Sequence, residues 1–361
     1  MKFPRFDYMT WAKNLECTPG LHLSSSGLPY PTLEELDLYK NPPRVHQISS
    51  YGDPQLLEAI AERSQTKVEN VFLSMGSSGA NYIAMGVLLE PGDEVIVEKP
   101  AYEVLAQIPL AFGANVKRIT RDSENSWKIN FNELKTLISD KTKLLVFTNP
   151  HNPTGATFTA DELNMLKKLA EQHDFHVMFD EVFIEMVTDK FAVSSLNRSD
   201  RFVTAGSITK AFGMGGLRIG WTIATPELVE RMMYFQDLMN VNVADPSMDI
   251  ALRIFRNMDF FLNRGKEILR ENSQIVKNWL EAHENVDFWM NPEIAFCFPS
   301  LKNISTDKWI EILDKDFNTF TVPGRFFTGY NQNFRLGYGI NKETLIQGLQ
   351  NFDAALRKLE G

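Results

Sequence analysis

Between about residues 70 and 225 short apolar runs alternate with amphipathic stretches, a rhythm that restricts the chain to an open α/β sheet. DEVIVEKP (Asp93–Pro100), KLLVFTNP (Lys143–Pro150), FHVMFDEV (Phe175–Val182), RFVTAGS (Arg201–Ser207) and LRIGWTIAT (Leu217–Thr225) are rich in Val, Ile and Phe. They are too short for helices and predict buried strands. Between two of them, TADELNMLKKLAEQHD (Thr159–Asp174) opens on a capping residue and sets Leu163, Leu166, Leu169 and Ala170 on one face, as a crossover helix does. From about residue 245 longer helical segments follow, and then apolar segments around IAFCFP (Ile294–Pro299) and NFRLGYG (Asn333–Gly339). A second, α+β domain is expected there.

Composition narrows the function classes. At 361 residues the chain exceeds the usual size of a single core. Its 43% hydrophobic, 11% aromatic and 23% charged residues are those of an ordinary globular protein. A formal net charge of -9 argues against a nucleic-acid partner. Cys17 and Cys297 are too far apart in sequence to suggest a metal cluster and too few for a disulfide framework, so a reducing, cytoplasmic setting is expected. The N-terminal MKFPRFDYMTWAKNLE mixes Pro4, charges and aromatics, and no stretch approaches a membrane span.

In open α/β sheets ligands collect beyond the carboxyl ends of the strands. There the chain places NPHNPTG (Asn149–Gly155), Asp180, and Lys210 within SITKAFGMGGLRIGW (Ser207–Trp221). Asn152, Asp180 and Lys210 follow one another at roughly thirty residues, about one strand-helix-strand unit, so three polar groups should meet in one crevice. Beside Lys210, Ser207, Gly213, Gly215 and Gly216 suit a backbone that approaches an anion closely, with Arg218 nearby. An amine beside an anion site suggests a Schiff base with a phosphorylated aldehyde cofactor. Pyridoxal phosphate needs a carboxylate at its ring nitrogen, which Asp180 could supply, and a donor to its ring hydroxyl, for which Asn152 is placed. Tyr102, in KPAYE, offers a flat face. Asn149 and His151 are expected to form the turn around Asn152.

This constellation resembles the fold-type I pyridoxal-phosphate enzymes, specifically the class I and II aminotransferases related to aspartate aminotransferase. The resemblance runs from SSYGDPQ at Ser49 to FRLGYG at Phe334. It implies a mostly parallel seven-stranded sheet with flanking helices in a large domain spanning 46–245, a smaller α+β domain at 246–361, and an N-terminal arm, 1–45, that joins the small domain. It implies that Lys210 forms the internal aldimine and then shuttles the proton between the substrate α-carbon and cofactor C4′. Asp180 would pair with the pyridinium nitrogen, Asn152 would bond the ring oxygen and border the substrate, and Tyr102 would stack on the ring. SMGSSGANYIAM (Ser74–Met85) resembles the phosphate loop, with Ser77 and Ser78 at a helix N-terminus, completed by Ser207 and Arg218. Tyr51 resembles the tyrosine that reaches the neighbouring subunit's phosphate, which implies a homodimer with shared sites. Arg335 resembles the arginine that grips the substrate carboxylate, and Gly27, in HLSSSGLPYP, falls in the substrate-contacting segment.

The chain also departs from that pattern. Three residues after Asp180, where relatives commonly have tyrosine, stands Phe183, so the cofactor's ring oxygen should lose a donor and the imine stay protonated to higher pH. Leu56 replaces a frequent glycine, and MNVNVADPSMDIA (Met239–Ala251) has no Arg or Lys to meet a side-chain carboxylate. The leading reading is ping-pong amino transfer between an L-amino acid and a 2-oxo acid. A lyase on the same scaffold, such as β-elimination from a sulfur amino acid, is the alternative. A cofactor-sensing regulatory module is disfavoured by the acidity and by the lack of a DNA-binding extension.

Overall fold

The computed structural model describes residues 6–46, 51–187 and 194–360; Ser49 and Ser50 of SSYGDPQ lie outside them. The central sheet runs, in spatial order, Val71–Met75, Ile219–Ile223, Phe202–Ser207, His176–Asp180, Thr142–Thr148, Glu94–Lys99, Asn115–Asp122 and Lys128–Ile129. Ile219–Ile223 is antiparallel to both its neighbours and Lys128–Ile129 to Asn115–Asp122, while the other pairings are parallel. The sheet thus has eight strands rather than seven. The additional one is a two-residue return that pairs Ile129 with Arg121, too short to leave an apolar run in the sequence.

Alternation along the strands fills two layers. Val95, Val97, Leu144, Val146, Met178 and Val203 pack with the helices Gly76–Leu88, Val104–Ala111 and Pro226–Asp237. Ile96, Leu145, Phe147, Val177 and Phe179 face the helices Phe131–Leu137 and Ala160–His173. The latter starts with the capping box its sequence foretells: the Thr159 side chain accepts from the Glu162 amide, and the Glu162 carboxylate accepts from the Thr159 amide.

After the sheet the chain forms helices Asp245–Arg256 and Met258–Glu281, where the sequence pattern indicates longer helical segments without marking their boundary. They part at Asn257, whose amide Nδ2 and backbone N–H both turn back to the Arg253 carbonyl, at 3.0 and 3.2 Å. A three-stranded antiparallel sheet, Phe296–Cys297, Phe334–Gly337 and Val322–Pro323, follows with helices Thr306–Phe317 and Lys342–Glu360. The N-terminal helix Asp7–Glu16 leads into Leu21–His22, which pairs in parallel with Thr319–Phe320. Residues from both ends of the chain therefore meet beside the crevice. Among the described residues no helix is long and apolar enough to cross a membrane.

Candidate active site

Strand pairing brings the expected groups to one edge of the sheet. Thr148 pairs with Asp180, Asp180 with Ala205, Ser207 with Gly220 and Met75 with Ile219, so Gly76, Asn149–Gly155, Asp180, Ser207–Lys210 and Arg218 all emerge on the same side. Asp180 ends its strand buried, its Oδ2 accepting from Asn81 Nδ2 at 2.7 Å and its Oδ1 from the Val182 amide at 3.3 Å. Burial holds its carboxyl above the usual range, against the pull of those two donors and of the Lys210 ammonium. Among the described residues no Lys, Arg or His forms an ion pair with it. Lys210 donates to Ser26 Oγ at 3.0 Å, and its carbonyl accepts from the Leu28 amide at 3.0 Å. Gly27 lies against it: a methyl group there would touch the Lys210 side chain at 3.5 Å.

Beside Lys210 the backbone forms a cradle that only glycine permits. The helix Gly76–Leu88 begins without a side-chain cap, so the amide groups of its first turn, with Ser77 and Ser78, remain available to an anion. Gly76 has φ +69°, and a Cβ on it would come within 2.4 Å of Arg218 Nη2. A Cβ on Gly220 would sit 2.3 Å from the Gly76 carbonyl carbon and 2.6 Å from the Ser77 nitrogen. Arg218, itself at φ 55°, is anchored through Nη1 to the Gly215 carbonyl at 3.1 Å. Ser207 Oγ accepts from the Thr209 amide at 2.9 Å.

Opposite lies a buried cation that pairs with no carboxylate among the described residues. Arg335 is 1% exposed; its Nη1 donates to Asn152 Oδ1 at 2.9 Å and its Nη2 to the Ser24 carbonyl at 3.0 Å and Tyr8 Oη at 3.1 Å. Its Nε is buried without a hydrogen-bond partner, and the rings of Phe296, Phe327 and Tyr8 surround the guanidinium at 5.5, 5.7 and 5.9 Å. A buried guanidinium whose described partners are all neutral is suited to take a carboxylate. Tyr102 packs edge-on against Tyr8, and its hydroxyl donates to Met9 Sδ at 3.4 Å. Phe183 is buried against Phe296, ring centroids 5.0 Å apart, and presents no hydroxyl.

Asn149 and His151 brace the turn, as expected. Asn149 donates from Nδ2 to the buried Glu181 at 2.9 Å and accepts at Oδ1 from the Phe158 amide at 3.2 Å. His151 bonds the Pro100 carbonyl at 2.8 Å and Thr154 Oγ1 at 2.7 Å; burial and nearby Arg121 keep it neutral, far below the usual histidine range. Tyr51 stands apart, 40% exposed, its hydroxyl donating to Asp237 Oδ2 at 3.0 Å within its own chain. Sequence reasoning missed Asn81, Ser26, Ser24 and Tyr8. Asn81 alone left a signal, as the one amide on the apolar face of its helix, between Ala80 and Ile83.

The chain is similar to known proteins along nearly its whole length. The family model for aminotransferase class I and II matches residues 21–352. The chain belongs to the class I and II aminotransferases. Aspartate aminotransferase from Pyrococcus horikoshii is 26% identical over 331 residues, 86% of this chain and 83% of that one. Capreomycidine synthase from Streptomyces vinaceus is 28% identical over 304 residues, 83% and 78% of the two chains. A PLP-dependent aminotransferase from Streptococcus suis superposes with a TM-score of 0.93 over 100% of both chains at 26% identity. This aminotransferase is accordingly a pyridoxal-phosphate enzyme. Its residues fit the cofactor: the glycine cradle suits a phosphate, and the buried Asp180, held by neutral donors, suits a protonated ring nitrogen.

Proposed function

We propose that this aminotransferase moves an amino group between an L-amino acid and a 2-oxo acid in two half-reactions, as a homodimer. The Asn152–Arg335 contact of 2.9 Å carries the reading, because it joins the group expected at the cofactor's ring oxygen to the group expected at the substrate carboxylate. When bound, pyridoxal phosphate supplies an aldehyde carbon for the amino group and a conjugated ring that accepts the electron pair of the broken Cα–H bond.

Each residue then has a task. Ser77 and Ser78, with their amides, bind phosphate together with Ser207 and Arg218. Asp180, oriented by Asn81, holds a proton on the ring nitrogen. Asn152 keeps Oδ1 on Arg335 and turns its Nδ2 toward the ring oxygen, while Tyr102 covers the ring face. Arg335 fixes the substrate carboxylate and Gly27 leaves room beside Lys210. The Lys210 amine would serve as the base that takes the proton from the substrate Cα and would hand it on to cofactor C4′. Tyr51 reaches toward the partner's phosphate; the exposed apolar side chains of Leu238, Met239 and Val241, just after its partner Asp237, support burial of this face against a second copy.

The test is an absorbance scan of the holoenzyme with single amino acids and no 2-oxo acid. Loss of the visible band with appearance of the near-ultraviolet band of the aminated cofactor, abolished in Lys210→Ala, is expected. A band that persists while pyruvate and ammonia accumulate would replace this reading with a lyase.

A further inference from the structure

The N-terminal helix Asp7–Glu16 sets Tyr8, Trp11 and Leu15 on one face by their spacing of three and four. Leu15 is buried, whereas Tyr8 and Trp11 keep part of their surface open. The Tyr8 ring lies 5.9 Å from Tyr102 at 88° and 5.7 Å from Phe326, and Trp11 lies 5.2 Å from Phe326. Tyr8 Oη meanwhile accepts from Arg335 Nη2 at 3.1 Å. Between the tyrosine assigned to the cofactor face and the arginine assigned to the substrate carboxylate, the wall is therefore aromatic.

We infer that Tyr8 is a specificity-determining residue, and that Tyr8, Trp11 and Phe326 form the subsite for the side chain of a neutral, apolar amino acid, aromatic ones foremost. The inference rests on the aminotransferase reading above. A substrate whose carboxylate is on Arg335 and whose amino group is near Lys210 must lay its side chain close to these rings. An apolar side chain is desolvated there without loss. A second carboxylate would meet the negative faces of the rings and would need a cation to offset its desolvation.

Among the described residues, the cations Arg118, Arg325 and Lys99 are engaged elsewhere. Arg118 donates to both oxygens of Glu103 at 2.8 and 3.3 Å, and Arg325 to Asp307 at 2.6 Å. The Lys99 ammonium lies over the Tyr330 ring, 6.0 Å from its centroid. The helix that carries Tyr8 has no side-chain cap at Phe6 and ten residues in all, so it can shift to admit a substrate at small expense.

The experiment is the single-turnover half-reaction of the holoenzyme, followed by absorbance, with phenylalanine, leucine, alanine or aspartate as the donor, in the parent, Tyr8→Ala and Tyr8→Phe. The parent should convert phenylalanine at least about tenfold more efficiently than aspartate, and Tyr8→Ala should lose about tenfold more efficiency with phenylalanine than with alanine. Tyr8→Phe should raise the KM of every donor, through loss of the hydroxyl at Arg335, yet preserve the phenylalanine-to-alanine ratio within about threefold. A parent that favours aspartate overturns the inference, as does a Tyr8→Ala protein equally impaired with phenylalanine and alanine. Should Tyr8→Ala fail to fold, the parent's donor preference and Tyr8→Phe still decide. A parent that converts none of the four donors overturns the aminotransferase reading itself, a result distinct from a changed preference.

Discussion

Burial raises the pKa of Asp180 above that of an exposed aspartate, against the pull of the Asn81 and Val182 donors and of the Lys210 charge. A carboxyl whose folded pKa is raised binds protons more tightly in the folded than in the unfolded chain, so cofactor-free stability falls as pH rises from the ordinary aspartate pKa through the raised one. Above the raised pKa that penalty is fully present, and on the proposed pairing the cofactor's ring cation would relieve it. Asp180→Asn should therefore leave the cofactor-free protein at least as resistant to heat at pH 8 as the parent, while cofactor binding weakens about a hundredfold (~3 kcal/mol). Paired thermal scans with and without cofactor check this, and a cofactor-free variant that melts well below the parent refutes it. At this scale the sequence was legible where polar groups end or follow a strand, as Asp180, Asn152 and Lys210 do, and where a glycine run leads into one, as at Arg218. Ser26 and Tyr8 could not, since each acquires its role from a contact with a residue far along the chain, Lys210 or Arg335.

Strands and helices set the tolerances of that edge. Gly220 sits mid-sheet with ordinary dihedrals, yet a methyl there would press on the backbone of Gly76 and Ser77, which cannot swing aside as a side chain would. Gly220→Ala should weaken cofactor binding at least about tenfold, ~1.4 kcal/mol, with the far-ultraviolet circular dichroism unchanged; unaltered affinity in a cofactor titration would contradict the cradle. At the opposite end of its strand from Asp180, His176 is held to about 4 by burial and by Arg201 and Arg231, against the opposing pull of Asp174. Its folded pKa is depressed, so the unfolded chain takes up the proton first, and stability contributed above pH 6.5 is lost as pH falls toward 4, by about 3 kcal/mol. His176→Gln should flatten this stretch of the urea-midpoint profile. Strong local signals made five of the strands and the cap at Thr159 legible, whereas Val71–Met75 and the charged Asn115–Asp122 did not stand out as apolar runs. The break at Asn257 and the two-residue strand Lys128–Ile129 escaped, because one depends on a single amide choosing a carbonyl and the other on pairing geometry alone.

In the whole molecule, the α/β architecture was readable because its strands are continuous in sequence, whereas the meeting of the chain's two ends was not. Leu21 pairs with Thr319, Leu23 exchanges backbone bonds with Phe320 and Gly337, and Ser24 and Tyr8 both receive Arg335. These contacts close loops of about three hundred residues, the slowest kind to form. Diluted from denaturant with cofactor present, the protein should recover the circular dichroism of its sheet before its amino-transfer activity, with the fluorescence of Trp11 beside Phe326 tracking the later phase; simultaneous recovery would show that the ends dock early. During synthesis the same pairing means that Tyr8 emerges first and waits for Arg335, near the other end, before it has anything to hold. On the proposed roles, every segment of the phosphate cradle, Gly76 to Gly220, is made before Arg335, so a nascent chain should be able to hold the cofactor before it can grip the substrate.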